Sequence, residues 1–352
     1  LLIDDGSSAQ NPDSFEFLPG GAGDNGNGYL DAGDNFSLST IRLGAEITST
    51  VEGVLTYSFD EWTVNASGTV TIDESTNSGA RQDTPDDVGG TLQLASYNVL
   101  NFFNTLDDGA LTGPDGDLDP RGADTAAEFE RQADKLVGGI LGSGAEVLAL
   151  QEIENNSSGE GSAIDTLTDL INAEDPGANF GYVDPTGSGG FIGTDAITTG
   201  IIYDAGAVTL LYSDFIAYEE SSAAVTNALA TAIADAIGYD FEAYDQSNRP
   251  SVAATFQDNS SGETFTVVSS HFKSKGDSGL AALASAAEDH LAGGGTAITQ
   301  ADLDALYADA NFDQGDGQGF WNGVRTDAAV ELAEWIGTGY NGGGVSNVVM
   351  LG

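Results

Sequence analysis

Ser269-Ser270-His271-Phe272-Lys273-Ser274-Lys275-Gly276 closes the apolar run Phe265-Thr266-Val267-Val268, and its reading settles how the rest of the chain is understood. The 352 residues hold nine Lys plus Arg and two His. Two of those nine cations and one of the two His fall within five residues here. A chain this poor in positive charge gains little from such a cluster as ordinary surface. The grouping suits a place where an anionic group, such as a phosphate, must be held. Two upstream runs have the same form: Leu92-Gln93-Leu94-Ala95-Ser96-Tyr97 leads to Asn98, and Val147-Leu148-Ala149-Leu150-Gln151 leads to Glu152. Residue parity places Asn98 on the face of Leu92 and Leu94, and His271 on the face of Phe265 and Val267.

Outward from these strand ends, composition sets the bounds. The formal net charge is −47, from 56 acidic against 9 basic residues, with 40% hydrophobic content. That apolar fraction supports a core and excludes an acidic disordered tail. Dispersed acid at this density fits a halophilic surface, or one that takes up many divalent cations. At about 1 M salt the Debye length is about 3 Å, so self-repulsion is screened away. The same charge opposes a nucleic-acid ligand, because such binders normally present a basic face. In brine the objection weakens, since metal ions and a few placed cations meet the phosphate locally. Cysteine is absent, which excludes disulfides and thiolate metal sites. No apolar run is long enough to span a membrane, and Leu1-Leu2-Ile3-Asp4-Asp5 reads as mid-domain sequence with no signal peptide. No membrane insertion and no protein partner are expected.

Residues 1 to 73 read as all-β, with Ile41, Leu43, Val51, Val54, Tyr57 and Phe59 in short runs between Gly, Asn and Asp. The loops Asp24-Asn25-Gly26-Asn27-Gly28 and Asp31-Ala32-Gly33-Asp34 are either tight solvated turns or calcium ligands. Residues 74 to 90 have linker composition. From Thr91 strands and helices alternate. Thr125-Ala126-Ala127-Glu128 has capping-box form and opens a helix ending near Gly142. Further helices are expected around Ile164 to Ile171, Ala223 to Ile237 and Ala328 to Ile336, with an acidic helical insertion over 280 to 311. Val348-Val349-Met350-Leu351 reads as a strand. The alternation predicts an α/β two-sheet sandwich flanked by helices.

SYNVLNFF (96–103), LALQEIENN (148–156), NRPSVAATF (248–256) and SSHFKSKG (269–276), in that order, resemble the endonuclease/exonuclease/phosphatase superfamily. RGADTAAEFERQADKLV (121–137), TDAITTGIIYD (194–204) and DQGDGQGFWNGVR (313–325) narrow the resemblance to its large secreted bacterial nucleases. It covers roughly Thr91 to Gly352. It implies a four-layer α/β/β/α sandwich of two mixed sheets, incomplete at the C-terminus, preceded by part of a small all-β OB-like module (1–73) and a linker (74–90). It also implies an extracellular location. Those relatives often carry a Cys pair around the insertion, near where Leu280 and Phe320 stand here.

The resemblance assigns roles that position alone leaves open. Glu152 becomes the metal ligand, for Mg2+ or Mn2+ with Ca2+ as the alternative, where position alone gives a solvated rim Glu. Asn98 orients metal or phosphate, and otherwise ends a strand at a turn. His271 hydrogen-bonds a phosphoryl oxygen or assists proton transfer, where a lone strand-end His is ordinarily structural. Arg249 offers a bidentate fork to phosphate, and otherwise meets one of the many carboxylates. Lys273 is the better phosphate ligand of the two lysines, with Lys275 in solvent. Asp195 falls in a recurrent segment without an assigned role. Arg121 and Arg325 are either phosphate ligands or structural residues, the structural reading being favoured; His290 is read as a surface residue, and Asp313, Asp316 and Gln318 as a solvated or calcium-binding loop. The family continues past this point into Asp-x-Asn and a final Asp-His pair, so the chain is expected to be an internal fragment, inactive alone. Three functions are consistent with this sequence. The first is a metal-dependent, sugar-nonspecific extracellular nuclease acting on DNA or RNA. The second is a phosphatase or phospholipid phosphodiesterase on the same scaffold. The third is a non-enzymatic acidic calcium-binding surface module.

Overall fold

The computed structural model describes residues 2–4, 14–20, 24–31, 41, 44–58, 61–77, 86, 88–243, 248–338, 340 and 347–352. The expected loop over Ala32-Gly33-Asp34, Leu43, Phe59 and most of the linker lie outside the described residues. The chain divides into two compact units, Leu1–Asp83 and Thr84–Gly352.

The first unit is all-β among its described residues. Its strands are β1 (Leu2–Asp4), β2 (Ser14–Phe15), β3 (Leu30–Asp31), β4 (Glu46–Ile47), β5 (Gly53–Ser58), β6 (Glu61–Ala66) and β7 (Ile72–Asp73). They form a sheet β1–β6–β5 and the pairs β2–β3 and β4–β7. The β5–β6 hairpin is held by a cross-strand pair, Tyr57 opposite Trp62, with ring centroids 5.0 Å apart. In the loop after residue 23, Asp24 accepts from the amides of Gly26 (2.7 Å), Gly28 (3.0 Å) and Asn27 (3.1 Å). Those bonds hold its carboxyl below the usual carboxylate range. Asp24 therefore serves as the acceptor of its own turn.

The second unit contains two mixed four-stranded sheets. In the first, β8 (Leu94–Phe102) runs parallel to β9 (Val147–Glu154), which pairs antiparallel with β11 (Ile197–Asp204), and that with β10 (Phe180–Tyr182). In the second, β12 (Val208–Ile216), β13 (Ser251–Asp258) and β14 (Thr264–Ser269) are antiparallel, and β15 (Val348–Leu351) lies parallel to β14. Six helices accompany them among the described residues: α1 (Ala126–Ser143), α2 (Ala163–Glu174), α3 (Ser221–Ile237), α4 (Leu280–Ala292), α5 (Gln300–Tyr307) and α6 (Asn322–Thr338).

Strand β9 shows why the layers form. Leu148 and Leu150 pack under α1 and α2 with Leu136, Ile140, Leu167 and Ile171. The alternate residues Val147 and Ala149 pack against Val252, Ala254 and Val267 of the second sheet. A strand buried on both faces reads as one continuous apolar run, which is how the sequence looks here. Across the second sheet, Ala253 and Val268 meet Ala328, Leu332 and Ile336 of α6. The order is helix, sheet, sheet, helix, the four-layer sandwich expected from the sequence. Each of these large aliphatic side chains contributes about 1.5–3 kcal/mol by burial.

Local signals set the helix ends. Thr125 and Glu128 form the capping box of α1, and Gly144 closes it in the left-handed region, two residues beyond the expected end. Helix α3 has no side-chain cap of its own. Instead α6 supplies carboxylates: Glu331 accepts from the amides of Glu219 (2.9 Å) and Glu220, and Asp327 from that of Ser222 (2.8 Å). Acids placed on a helix N-terminus are stabilised by its dipole. The acidic insertion is helical as expected, and its Leu280, Leu283, Leu303 and Leu306 are buried in a satellite core with Trp321 and Val324.

Candidate active site

Glu152 and Asn98 do not close their strands, as the sequence suggested; β8 runs on to Phe102 and β9 to Glu154. A double irregularity lies between. On one side Asn98 pairs with Gln151 and the next partners are Phe102 and Ile153. On the other, Thr199 pairs with Gln151 and Thr198 with Ile153. Glu152 is skipped by both neighbours and sits at φ 65°, with Leu100 and Asn101 opposite at φ 49° and 53°. Positive φ in such residues is uncommon and costs about 1–3 kcal/mol each. A bulge re-aims a side chain, and this one does: Leu148, Leu150 and Ile153 all pack on the helix side, which strict alternation would forbid. Glu152 is released from that alternation toward the end of the sheet.

Asn98 Nδ2 donates to Glu152 Oε1 at 2.9 Å, and Asn98 Oδ1 accepts from the Leu100 amide at 2.8 Å. His271 Nε2 lies 3.7 Å from the same Glu152 oxygen. Burial, then the Arg249 guanidinium, lowers the His271 pKa against the opposing pull of Glu152 and Asp195. The neutral imidazole is thereby favoured over the imidazolium. His271 Nδ1 and Arg249 Nε are both buried without a protein hydrogen-bond partner. Such groups are rare, because an unmet buried donor or acceptor costs about 1–3 kcal/mol.

Beneath them, three strands are tied by side chains between the sheets. The buried Gln151 accepts from Ser96 Oγ of β8 at 3.2 Å and donates to Ser269 Oγ of β14 at 3.4 Å. Ser269 Oγ donates to the Leu150 carbonyl at 2.9 Å. The site's three strand ends are thus held by one polar network that the apolar pattern of β9 gave no reason to expect.

Arg249 Nη2 donates to Asp195 Oδ2 at 2.7 Å, and Arg121 pairs with the other oxygen of the same carboxylate. Asp195 is fixed in turn by Asn155, whose Nδ2 donates to the carbonyls of Ile192 and Asp195, each at 2.9 Å. Two residues before Asp195, Gly193 sits at φ 70°, where a Cβ would fall 2.7 Å from Pro250 Cδ. Only glycine lets this loop approach the start of β13 so closely. Asn248, also buried, donates its backbone and side-chain amides to Glu220 and accepts from the Lys273 amide. Burial, then Arg249 and Arg325, lowers the pKa of Lys273.

The residues expected at one site, Asn98, Glu152, Arg249, His271 and Lys273, are thus brought together. Asp195 joins them as the carboxylate shared by two arginines. Arg325 is a brace: it donates to the carbonyls of Gln318 (2.6 Å), Phe320 (2.7 Å) and Lys273 (3.3 Å). Lys275, expected in solvent, is exposed but tied to the Gly317 carbonyl at 2.7 Å. Asp313 and Asp316 accept from the amides of Gly315 and Gln318, as turn residues do. His290 is half-buried and accepts weakly from the Ala297 amide at 3.4 Å, closing the loop after α4. Sequence reading missed Gln151, Asn155, Asn248, Glu154 and Glu220.

Among the described residues no group of three or more His, Asp or Glu could hold a metal ion. The site offers one carboxylate not already paired with arginine, Glu152, and an amide oxygen of Asn98 that has one lone pair taken. Ca2+ takes six to eight oxygen ligands, whereas Mg2+ binds through about one or two carboxylates plus waters and substrate phosphates. The donor set fits Mg2+ or Mn2+ completed by substrate, and it does not fit an all-protein calcium cage.

Glu220 gives a pH test of the scaffold behind Lys273. Burial, and then the neighbouring Glu331 and Asp327, raise its pKa despite the Asn248 bonds. The folded state then holds this proton more tightly than the unfolded state. Its stability contribution is lost as pH rises from the unfolded value, about 4.5, through the folded one. Glu220→Gln keeps the oxygen that Asn248 needs and removes the charge. Its melting temperature should equal that of the parent near pH 4 and exceed it increasingly toward pH 7. A constant difference across that range would mean that Glu220 titrates normally.

No family model and no curated protein matches the sequence. Solved structures do. An endonuclease/exonuclease/phosphatase from Bacteroides vulgatus aligns at 15% identity and TM-score 0.28, over 55% of this chain and 57% of that one. The human Nocturnin catalytic domain with bound sulfate aligns at 13% identity and TM-score 0.27, over 47% and 52%. A mannosyl-6-phosphatase from Bacteroides thetaiotaomicron aligns at 12% and 0.29, over 57% and 59%. The chain spans a little over half the length of these structures.

Proposed function

We propose that this chain carries the site of a divalent-metal-dependent phosphodiester hydrolase, an extracellular nuclease that accepts DNA and RNA. The observation that carries this reading is the juxtaposition at the sheet ends. A carboxylate re-aimed by a strained bulge lies 3.7 Å from a His whose second nitrogen is buried without a partner. Arg249, with its own unmet Nε, and Lys273 lie around them in a chain with nine cations in all.

Each residue then has a task. Glu152, held by Asn98, binds Mg2+ or Mn2+, whose chemistry when bound is to polarise a phosphoryl oxygen. Arg249 and Lys273 hold the phosphate and stabilise the charge that develops on its oxygens. His271 accepts or delivers a proton at a phosphoryl or bridging oxygen. Asp195 fixes the direction of the Arg249 fork.

The test is turnover by the full-length protein of duplex DNA, single-stranded RNA, bis(p-nitrophenyl) phosphate and p-nitrophenyl phosphate, in molar salt with Mn2+ and again with EDTA. Cleavage of both nucleic acids that stops with EDTA supports the reading. Turnover of the monoester alone moves the assignment to a phosphatase. Equal rates with and without chelator remove the metal from the mechanism.

A further inference from the structure

We infer that Arg121 is a second phosphate-contacting residue, one that holds the backbone phosphate next to the scissile one and so selects polynucleotides over small esters. The inference rests on the phosphodiesterase reading and extends it. Arg121 and Arg249 lie on opposite oxygens of one carboxylate, Asp195. Two guanidiniums share a single negative charge, which leaves the pair net positive in a chain of charge −47. With 56 acids available, a purely structural arginine would have no need to share. Yet among the described residues Arg121 has no other ion pair.

The two arginines differ in depth. The Arg249 side chain is 13% exposed, that of Arg121 43%. A guanidinium has five donors, and the part-exposed Arg121 side chain has only its Asp195 contact as an ion pair among the described residues, which leaves donors for a second ligand. Two forks hydrogen-bonded to opposite carboxylate oxygens stand about 7 Å apart, comparable with the spacing of successive phosphates on one strand. A small ester that fills the inner position cannot reach the outer one.

The loop bearing Arg121 is built to hold it there. Glu154, two residues after Glu152 on β9, is buried and accepts from Asn104 N (2.9 Å), Thr105 N (3.1 Å) and Thr112 Oγ1 (2.5 Å). Thr112 and Leu118 exchange backbone bonds at 2.8 and 3.1 Å, and Asp107 N donates to Ala123 O at 3.0 Å. Leu118 packs on Phe103, Ala196 and Ile197, next to Asp195. Gly122 abuts Phe103 so closely that a Cβ would lie 2.6 Å from the Phe103 Cβ. One strand thus carries two acids, one aimed into the site and one anchoring the loop that brings a cation to its rim.

The experiment compares Arg121→Ala and Arg121→Lys with Arg131→Ala, which removes an equal charge from an exposed position on α1 paired only loosely with Glu128, at 3.9 Å. Binding of a fluorescein-labelled duplex is followed by anisotropy in EDTA over a salt series. All variants are made in the full-length protein, whose turnover of DNA and of bis(p-nitrophenyl) phosphate is followed with Mn2+. Arg121→Ala should weaken duplex binding about tenfold and change the slope of log K against log salt by about one phosphate contact, roughly 0.9. The ratio of kcat/KM for DNA to that for the small diester should fall about tenfold. Arg121→Lys should keep the slope and recover part of the affinity, since the charge remains and the fork is lost. Arg131→Ala should leave slope and ratio unchanged. If Arg121→Ala matches Arg131→Ala, or if DNA and small-diester turnover fall together, Arg121 only braces Asp195 and the inference is lost while the hydrolase reading stands. If the parent neither binds nor cleaves DNA, both fail.

Discussion

Glu152→Gln in the full-length protein should abolish metal-dependent phosphodiester cleavage while leaving the fold intact, a loss of about 10³-fold or more. A Lewis-acid contribution of several kcal/mol corresponds to that factor, at about 1.36 kcal/mol per tenfold. The substitution is close to isosteric, and Gln retains the oxygen that accepts from Asn98 Nδ2 at 2.9 Å. It is no worse suited than Glu to the φ of 65° at this position. What it removes is the one carboxylate that the bulge aims into the site. Calorimetry should show Mn2+ binding weakened in parallel, which a merely structural Glu would not produce. His271→Ala should lower turnover on the order of 10²-fold or more, as for other positioned proton-transfer groups, and leave Mn2+ binding near that of the parent. His290→Ala is the control for the chain's second His, because its contact is the loop after α4. Full activity in both Glu152→Gln and His271→Ala would put the chemistry elsewhere in the molecule.

The parts of this site that were legible in the sequence are those that depend on near neighbours. Thr125 and Glu128 announce a helix start, because a capping box closes within four residues. The apolar runs before Glu152 and His271 announce buried strands, because burial on both faces leaves no alternation to disguise them. What the sequence could not show is set by pairing between distant segments. The bulge at Glu152 exists because β8 and β11 both skip it, and neither skip has a local signature. Glu154 and Glu152 look equivalent in LALQEIENN, yet one anchors a loop and the other faces the site. Arg121 and Asp195 are 74 residues apart, and nothing near either names the other. Asn248 read as a neighbour of Arg249, whereas its work is to link Glu220 on one side with Lys273 on the other. Residue types revealed which groups could do chemistry, and long-range register decided which of them meet.

Charge density leads to the other large effect. The 56 acids are spread over 18033 Å² of surface, which leaves about 320 Å² for each and a mean spacing of roughly 18 Å. At about 0.01 M salt the Debye length is about 30 Å, so every acid repels several neighbours; at about 1 M it is about 3 Å, and they become independent. The nine cations cannot offset this. Arg121 and Arg249 share one acid, and the exposed Arg131–Glu128 pair, at 3.9 Å, belongs to a class worth about 0–1 kcal/mol. The melting temperature should therefore rise by about 10 °C or more between low and molar NaCl, equivalent to several kcal/mol at about 2–4 °C per kcal/mol. KCl and NaCl should act alike, since screening depends on ionic strength and not on the identity of the cation. Millimolar CaCl2 at constant ionic strength should add little. The described carboxylate loops support that last expectation, because Asp24, Asp313 and Asp316 already accept from the amides of their own turns. A melting temperature that stays flat or falls with NaCl would rule out screening as the reason for the acidity. A large rise with millimolar CaCl2, reversed by chelator, would assign the charge to bound divalent cations instead.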